Sequence, residues 1–469
     1  MKLFHEPAEW EDMDAWHERV AVLRREERSV WVDEPDFQPY LALLRHADVF
    51  AVERDHELWQ NTSRVTLAPD AFFDDALALG LPEPKSLVQL DGREHQAHRQ
   101  VANDWFKPAA TGRWQNRIDE IADEFIDKMR SLGGECDFAV DIAQPFTLRV
   151  IMEIYGVPVE DEPLMLELTQ GVFGASDPEF VGEGEDMMSS AVGSVMKFIQ
   201  YFNEVTEDRR ACPADDLASV IANGEVDGCP MGDEHRLWYF IIVATAGHDT
   251  TSFALTGGLQ ALLEHPDQLE ALRSDPGLVT NAAEEMIRWT SPVRHMMRYA
   301  QEDTEIAGHR MPAGSRVLLC YPSANRDGEV FERPMEFDVA RGDVSTLLSF
   351  GLGPHFCPGS HLARGEMVAM IDAALDFLPP GARLRVVAAT EATTSVMYGV
   401  DAMIGSSAGA GTARPWGAWP PGLPAACCPG CPLALKTGLC LTSPQRWSHS
   451  RQRSWRPIRQ ITQPLRKTA

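Results

Sequence analysis

The stretch "FGLGPHFCPG", residues 350–359, sets one cysteine among glycines, with a histidine two places before it. A structural zinc takes four ligands, so Cys357 cannot hold one by itself. A chain of 469 residues can bury a large core and needs no disulfide staple. Three uses are open: buried space-filler, nucleophile, or ligand to a bound group. A free cysteine is most often the first. The neighbours favour the last. Gly351, Gly353 and Gly359 let the backbone turn tightly and approach a flat object closely. Phe350 offers a ring beside the sulfur, and His355 a donor toward an anion. From Cys357 onward, "CPGSHLARGEMVAMIDAAL" has a helical pattern, which places the thiol at a helix N-terminus, where the dipole should lower its pKa.

The bulk composition agrees with a globular chain: 44% hydrophobic, 24% charged and 8% aromatic. Its N-terminus, "MKLFHEPAEWEDMDAW", lacks the apolar core of a secretory signal, and "WYFIIVATAG" (238–247) is too short to span a membrane. A cytoplasmic protein without a membrane anchor is expected. The cysteines before residue 400 lie far apart, as reduced thiols do. A net charge of −28 argues against a nucleic-acid partner. That charge is unevenly placed. Residues 405–469 hold nine of the 42 basic residues and no acid, leaving 33 basic against 70 acidic residues before them. Composition changes at the same point to "AGAGTARPWGAWPPGLPAACCPGCP". The expected organisation is one domain, 1–404, followed by a basic Pro/Trp/Cys-rich extension, 405–469, that is disordered or non-native. "CCPGC" with Cys440 lacks the paired spacing of a zinc module.

Apolar periodicity predicts helices over roughly 10–28, 92–106, 113–132, 141–155, 184–210, 232–264, 276–289 and 357–378. Short strands are predicted near 29–33, 295–300, 304–308, 314–319 and 382–398. The fold class is therefore mainly α with small β-sheets.

The pattern Phe-x-x-Gly-x-His-x-Cys-x-Gly, filled by Phe350, Gly353, His355, Cys357 and Gly359, resembles the haem-ligand signature of the cytochrome P-450 family. The resemblance covers roughly residues 10–400. It implies that family's fold, with haem b between the long central helix and the Cys-ligand helix, and Cys357 as the thiolate on the iron, where electron donation favours O–O cleavage. "ATAGHDTTS" (244–252) is similar to the family's oxygen-binding motif. It implies that Ala246 and Gly247 leave room for oxygen, that Thr250 hydrogen-bonds it and that Asp249 relays protons. "EEMIR" supplies the family's Glu285–Arg288 pair; an i,i+3 pair on any helix is more often a surface ion pair worth little, but its placement about 70 residues before Cys357 implies a structural role here. The family often adds an arginine just before the Phe of "PMEF"; Glu336 stands there, so an arginine-completed network is not expected. His95 and Arg99 of "DGREHQAHR", with Arg298, His355, Phe350, Gly351 and Gly359, are implied haem contacts, the first four forming a cationic set for the two propionates.

"GECDF", "RWTSPV" and "YPSANRD" look most like the bacterial branch that hydroxylates monoterpenes such as terpineol. The implied reaction inserts one atom of O2 into a C–H bond. No dinucleotide fingerprint or reductase domain follows the Cys357 region, so NAD(P)H would act only indirectly, through a ferredoxin and its reductase. Docking is expected near Lys107, Arg113 and Arg364, on a monomer. The implied substrate pocket offers Phe72, Phe73, Leu87, Phe173, Val243, Val293, Met296 and Met297, which suits a small hydrophobic molecule. A steroid or fatty-acid hydroxylase is the alternative, and a haem-binding sensor without oxygenation is the rival class.

Overall fold

Apolar residues at helical spacing build most of the molecule. In the helix Pro108–Ser131, which starts on a proline, Ile118, Ile121, Ala122, Phe125 and Ile126 are buried as one stripe. That stripe packs beside the helix Ser360–Phe377, whose Leu362, Met367, Met370 and Ile371 are buried in the same cluster. Tyr155, Phe202 and Phe240 tie the helices Gln144–Tyr155, Met187–Ala211 and Asp233–Ala246 together. The Phe202 and Phe240 rings stack at 4.7 Å, and the Tyr155 hydroxyl donates to the Phe240 carbonyl at 2.9 Å. The computed structural model describes residues 2–61, 64–80, 83–133, 135–173, 187–377, 384–391 and 400–407.

A five-stranded sheet stands against this helical mass, in the order Ser29–Val32, Tyr40–Leu43, Arg316–Cys320, His295–Ala300, Trp59–Gln60. The central strand, Arg316–Cys320, runs parallel to Tyr40–Leu43 and antiparallel to His295–Ala300, with Met297 opposite Leu318 and Arg298 opposite Val317. Successive side chains on a strand face opposite sides, so Met296 and Arg298 share one face and Met297 takes the other. A second sheet joins Leu384–Glu391, Val400–Ser407 and Glu135–Asp137, with Ile404 opposite Asp137 and Ser406 opposite Glu135. This strand runs past residue 404, where the composition changes. The chain divides into the compact units Met1–Ala410 and Gly411–Ala469, and the second lies outside the described residues.

The helix expected over 232–264 is two helices, Asp233–Ala246 and Asp249–Glu264. Gly247 still donates its N–H to Val243 O at 3.1 Å, but His248 leaves the helical region with φ −124 and ψ −46. Side chains take over the carbonyls left behind: Thr250 Oγ1 donates to Ala246 O at 3.2 Å, and His248 Nδ1 lies 3.3 Å from Ala244 O. Periodicity runs through such a break because both halves bury the same face.

Glu285 and Arg288 are both fully buried. Arg288 grips the carboxylate through Nε at 2.6 Å and Nη2 at 2.8 Å, and its Nη1 donates to Asn325 O and Pro334 O. The arginine missing at position 336 is supplied from elsewhere. Arg341 Nε reaches Glu285 Oε2 at 3.1 Å, and its Nη2 reaches Glu336 O at 2.6 Å. Glu336 thus contributes its backbone where its side chain could not. Asp338 N–H completes the carboxylate at 2.9 Å. Removing one member leaves buried charge uncompensated, which typically costs about 3–5 kcal/mol. Arg341→Ala should lower unfolding stability by about that much in denaturant titration; a loss within experimental error would show that the carbonyls alone suffice.

Candidate active site

A cavity lies between the second half of the broken helix and the helix that follows Cys357. Thr250, Thr251 and Ala254 line it from one side, and Leu362, Ala363, Glu366 and Met367 from the other. Cys357, Phe350, Gly351 and Gly359 form its floor. The loop turns through Gly351 at φ +65 and Gly353 at φ +63, the left-handed region that only glycine enters freely. Cys357 N–H is held by Phe350 O at 2.8 Å, so the sulfur's backbone is pinned to the ring's own residue.

The helix itself begins at Ser360, and Cys357 stands just ahead of it. Amides of Gly359 and Ser360 face the sulfur and favour a thiolate, as do Arg99 and Arg364. Burial outweighs them and pushes the thiol up from its ordinary value. The lowered value expected from the helix dipole alone is not what the protein without a ligand has. A cation at the sulfur would be needed to complete the shift.

His95, Arg99, Arg298 and His355 all line one edge of this cavity. The two histidine rings lie 4.2 Å apart, and Asn61 Nδ2 donates to His355 Nδ1 at 3.2 Å, which leaves Nε2–H to donate to Asp91 at 3.4 Å. Burial, His355 and Arg99 together push His95 down to about 4. His355 is lowered as well, mainly by burial. Both rings are neutral near pH 7, so the charge of the set resides in Arg99 and Arg298 and the histidines act as neutral donors. Arg99 Nη2 donates to Phe356 O at 2.6 Å. Arg298 lies 3.4 Å from Glu53. Three buried polar atoms on this edge have no partner: His95 Nδ1, Asn61 Oδ1 and Glu53 Oε2. Buried polar groups normally find one.

Asp249 does not line the cavity: it is buried behind Thr250, and its Oδ1 lies 2.9 Å from His248 Nε2. Thr169 Oγ1 lies 3.2 Å from the same nitrogen. Gly247 has a packing reason of its own. A Cβ there would sit 2.7 Å from Ile151 Cγ1, so glycine is required by the neighbouring helix as well as by the cavity it lines.

Of the apolar residues expected around a substrate, Leu87, Val243, Val293 and Met296 line the cavity, with Ala246 and Ile242 beside them. Met297 does not: strand alternation turns it into a separate core with Tyr40 and Leu318. Phe72 and Phe73 do not line it either. They stand on the helix Asp70–Ala78, packed edge to face on each other with Arg64 4.8 Å from the Phe73 ring. The Phe173 side chain lies outside the described residues. Glu53, Asn61, Tyr321 and Glu366 line the cavity without a motif to announce them. Both carboxylate oxygens of Glu366 are buried without a partner, and burial pushes its pKa well above the ordinary range.

The family model described as Cytochrome P450 matches residues 68–376. This chain belongs to the cytochrome P-450 family. It is 36% identical over 371 residues to cytochrome P-450-terp of a Pseudomonas species, covering 77% of this chain and 86% of that one. It is 34% identical over 364 residues to linalool 8-monooxygenase of Pseudomonas putida, covering 75% and 86%. The crystal structure of CYP108D1 from Novosphingobium aromaticivorans matches with TM-score 0.78 and 34% identity, over 87% of this chain and 97% of that one. The protein is a cytochrome P-450 monooxygenase. Enzymes of this family work with haem and O2.

The cytochrome P-450 cavity fits haem on its own evidence. A thiol stands at the floor, glycine backbone stands where a flat ring must pass, and one unpartnered imidazole nitrogen, His95 Nδ1, and two arginines stand at one edge. Cys357 would hold the iron, while Arg99, Arg298 and His95 would take the propionates; His355, its two nitrogens occupied by Asn61 and Asp91, packs its ring against His95 behind them. The cations expected to dock a redox partner each have a neighbour in the fold, Lys107 in an exposed pair. Lys107 pairs with Asp104 at 2.5 Å, Arg113 lies 5.9 Å from the Trp105 ring, and Arg364 pairs with Glu284 and covers Phe350 at 4.3 Å. Arg364 therefore supports the Cys357 loop from beneath. Among the described residues no helix is long and apolar enough to cross a membrane. Cys357→Ala should abolish the red-shifted Soret band of the reduced carbon-monoxide complex; a variant that kept the band would show that another residue ligates the iron.

Proposed function

We propose that this cytochrome P-450 hydroxylates a small neutral hydrocarbon-like molecule, most of all a monoterpene, using haem b and electrons from a separate ferredoxin and reductase. The observation that carries the substrate class is the lining on the Thr250 side. Leu87, Ile242, Val243, Val293 and Met296 are apolar, and among the described lining residues the only arginines are Arg99 and Arg298, both on the propionate edge. A carboxylate buried there without a cation would be heavily unfavourable, whereas an apolar ligand gains from burial. The likeness to P-450-terp and linalool 8-monooxygenase supports the same class. The acid-free segment 411–469 is, on this reading, an appendage to the haem domain.

Bound haem supplies the oxygen chemistry: one atom of O2 enters a C–H bond and the other leaves as water, consuming two electrons and two protons. The chain's own residues do the rest. Cys357 anchors the iron, and the amides of Gly359 and Ser360 temper the sulfur's charge. The apolar lining holds the substrate and excludes water. Asp249 and Thr250 deliver protons to the cavity face opposite Cys357, with His248 and Thr169 behind them. Thr250 donates to Ala246 O in the resting geometry, so its hydroxyl must turn to serve the cavity.

Thr250→Ala should keep substrate binding but divert reducing equivalents to hydrogen peroxide, read as product formed per NADPH consumed. Asp249→Asn should slow turnover by roughly 10²-fold with haem content intact, the scale of a lost acid–base group. Unchanged coupling and rate in both would leave these residues as helix packing alone.

Spectral titration with α-terpineol, p-cymene, a C12 fatty acid and a steroid reads the shift that marks loss of iron-bound water. A tight response to the terpenoid or the cymene is expected. A tight response only to the acid or the steroid would overturn the substrate class while leaving the monooxygenase in place.

A further inference from the structure

Glu53, on the helix His46–Arg54, is an acid set among the groups that would receive the propionates. It is almost fully buried. Oε1 accepts from the Tyr321 hydroxyl and faces Arg298 Nη2 at 3.4 Å, while Oε2 lines the cavity edge without a partner. Oε2 also lies against the Cys357 loop, 3.3 Å from where a Gly351 Cβ would stand. A carboxyl oxygen in this position has two states. Ionised, it would confront an arriving propionate with like charge in a buried site. Protonated, it offers an O–H to that propionate, and hydrogen bonds to an ionised acceptor are the stronger kind.

We propose that Glu53 carries a proton on Oε2 and donates it in a hydrogen bond to a haem propionate, so that a carboxyl–carboxylate pair grips the cofactor beside Arg99 and Arg298. The inference rests on the haem reading of the cavity. The proton stays on Glu53, and no bond is exchanged. Burial raises the Glu53 pKa, opposed by Arg298, Tyr321 and the Leu352 amide. A raised carboxyl keeps its proton above the ordinary carboxylate range and loses it as pH climbs through the raised value. The grip should therefore be full at lower pH and weaken on the alkaline side. Of the other groups at this edge, His95 is pushed down to about 4, His355 is lowered, burial pushes Tyr321 well above its ordinary value, and Asp91 is held between His355 and the Asn61 amide.

The test is haem transfer from the holoprotein to excess apomyoglobin, followed by Soret absorbance over the pH range in which both proteins stay folded. In the unaltered protein the loss rate should rise about tenfold across that range, the scale of one charge-assisted hydrogen bond. Glu53→Gln keeps an N–H donor that cannot ionise, and its loss rate should stay flat. Tyr321→Phe removes a bond that favours the ionised form, and should move the rise to higher pH. In the haem-free protein, infrared spectra should show a protonated-carboxyl C=O stretch that Glu53→Gln lacks. Matching pH profiles for Glu53→Gln and the unaltered protein, or no such band, would overturn the proposal. If neither protein binds haem at all, the haem reading itself has failed instead.

Discussion

The site depends on holding a buried sulfur where an anion must form. Burial opposes a thiolate, and two amides and two arginines oppose burial. The loop from Phe350 to Gly359 exists to satisfy both demands. Its left-handed glycines turn the backbone so that Phe350 O takes the Cys357 N–H while the next amides turn toward the sulfur. Pro358 has no N–H to give, so the donors begin at Gly359. Arg364 closes the arrangement from below, its charge shared between Glu284 and the Phe350 ring. The helix Ser360–Phe377 then carries this geometry into the core, where the helix Pro108–Ser131 fixes it.

The Glu285 network holds the other side of that loop. Asn325, whose carbonyl receives Arg288, donates to Ser349 Oγ at 2.9 Å, and its Oδ1 accepts from Leu348 N–H at 2.8 Å. The buried ion cluster is thus tied directly to the chain entering the Cys357 loop. Placement in the chain singles out the Glu285–Arg288 pair, but the i,i+3 spacing says nothing of its further partners. What makes this one structural is the second guanidinium, and Arg341 lies far enough along the chain that spacing gives no hint of it.

Local features were legible in the sequence and non-local ones were not. The loop around Cys357 and the motif at 246–250 are short segments whose chemistry is carried by adjacent residues; the loop lines the cavity, as do Ala246, Gly247 and Thr250, while Asp249 sits behind them. The main helices follow from apolar periodicity. The break at Gly247–His248 escaped because periodicity records which face is buried and not whether each amide finds its carbonyl. Met297 was misplaced beside Met296 for a related reason: only the strand's period of two separates them. Glu53, Asn61 and Tyr321 come from three distant segments and meet only in the folded chain. Their sequence contexts, an acid on a helix and an aromatic after a strand, are indistinguishable from ordinary ones.

Charge balance gives these late-found residues their sense. Iron(III), the porphyrin dianion and one thiolate sum to zero, so the charge of bound haem lies on its two propionates. Two arginines answer them. A third cation at this edge would leave excess buried charge, and burial prevents it by keeping His95 and His355 neutral. An ionised Glu53 would unbalance the set in the other direction by drawing Arg298 away from its propionate. A neutral Glu53 leaves Arg298 free to serve the cofactor while still fixing its position. The same low-polarity surroundings that push the histidines toward their neutral form push Glu53 toward its protonated one.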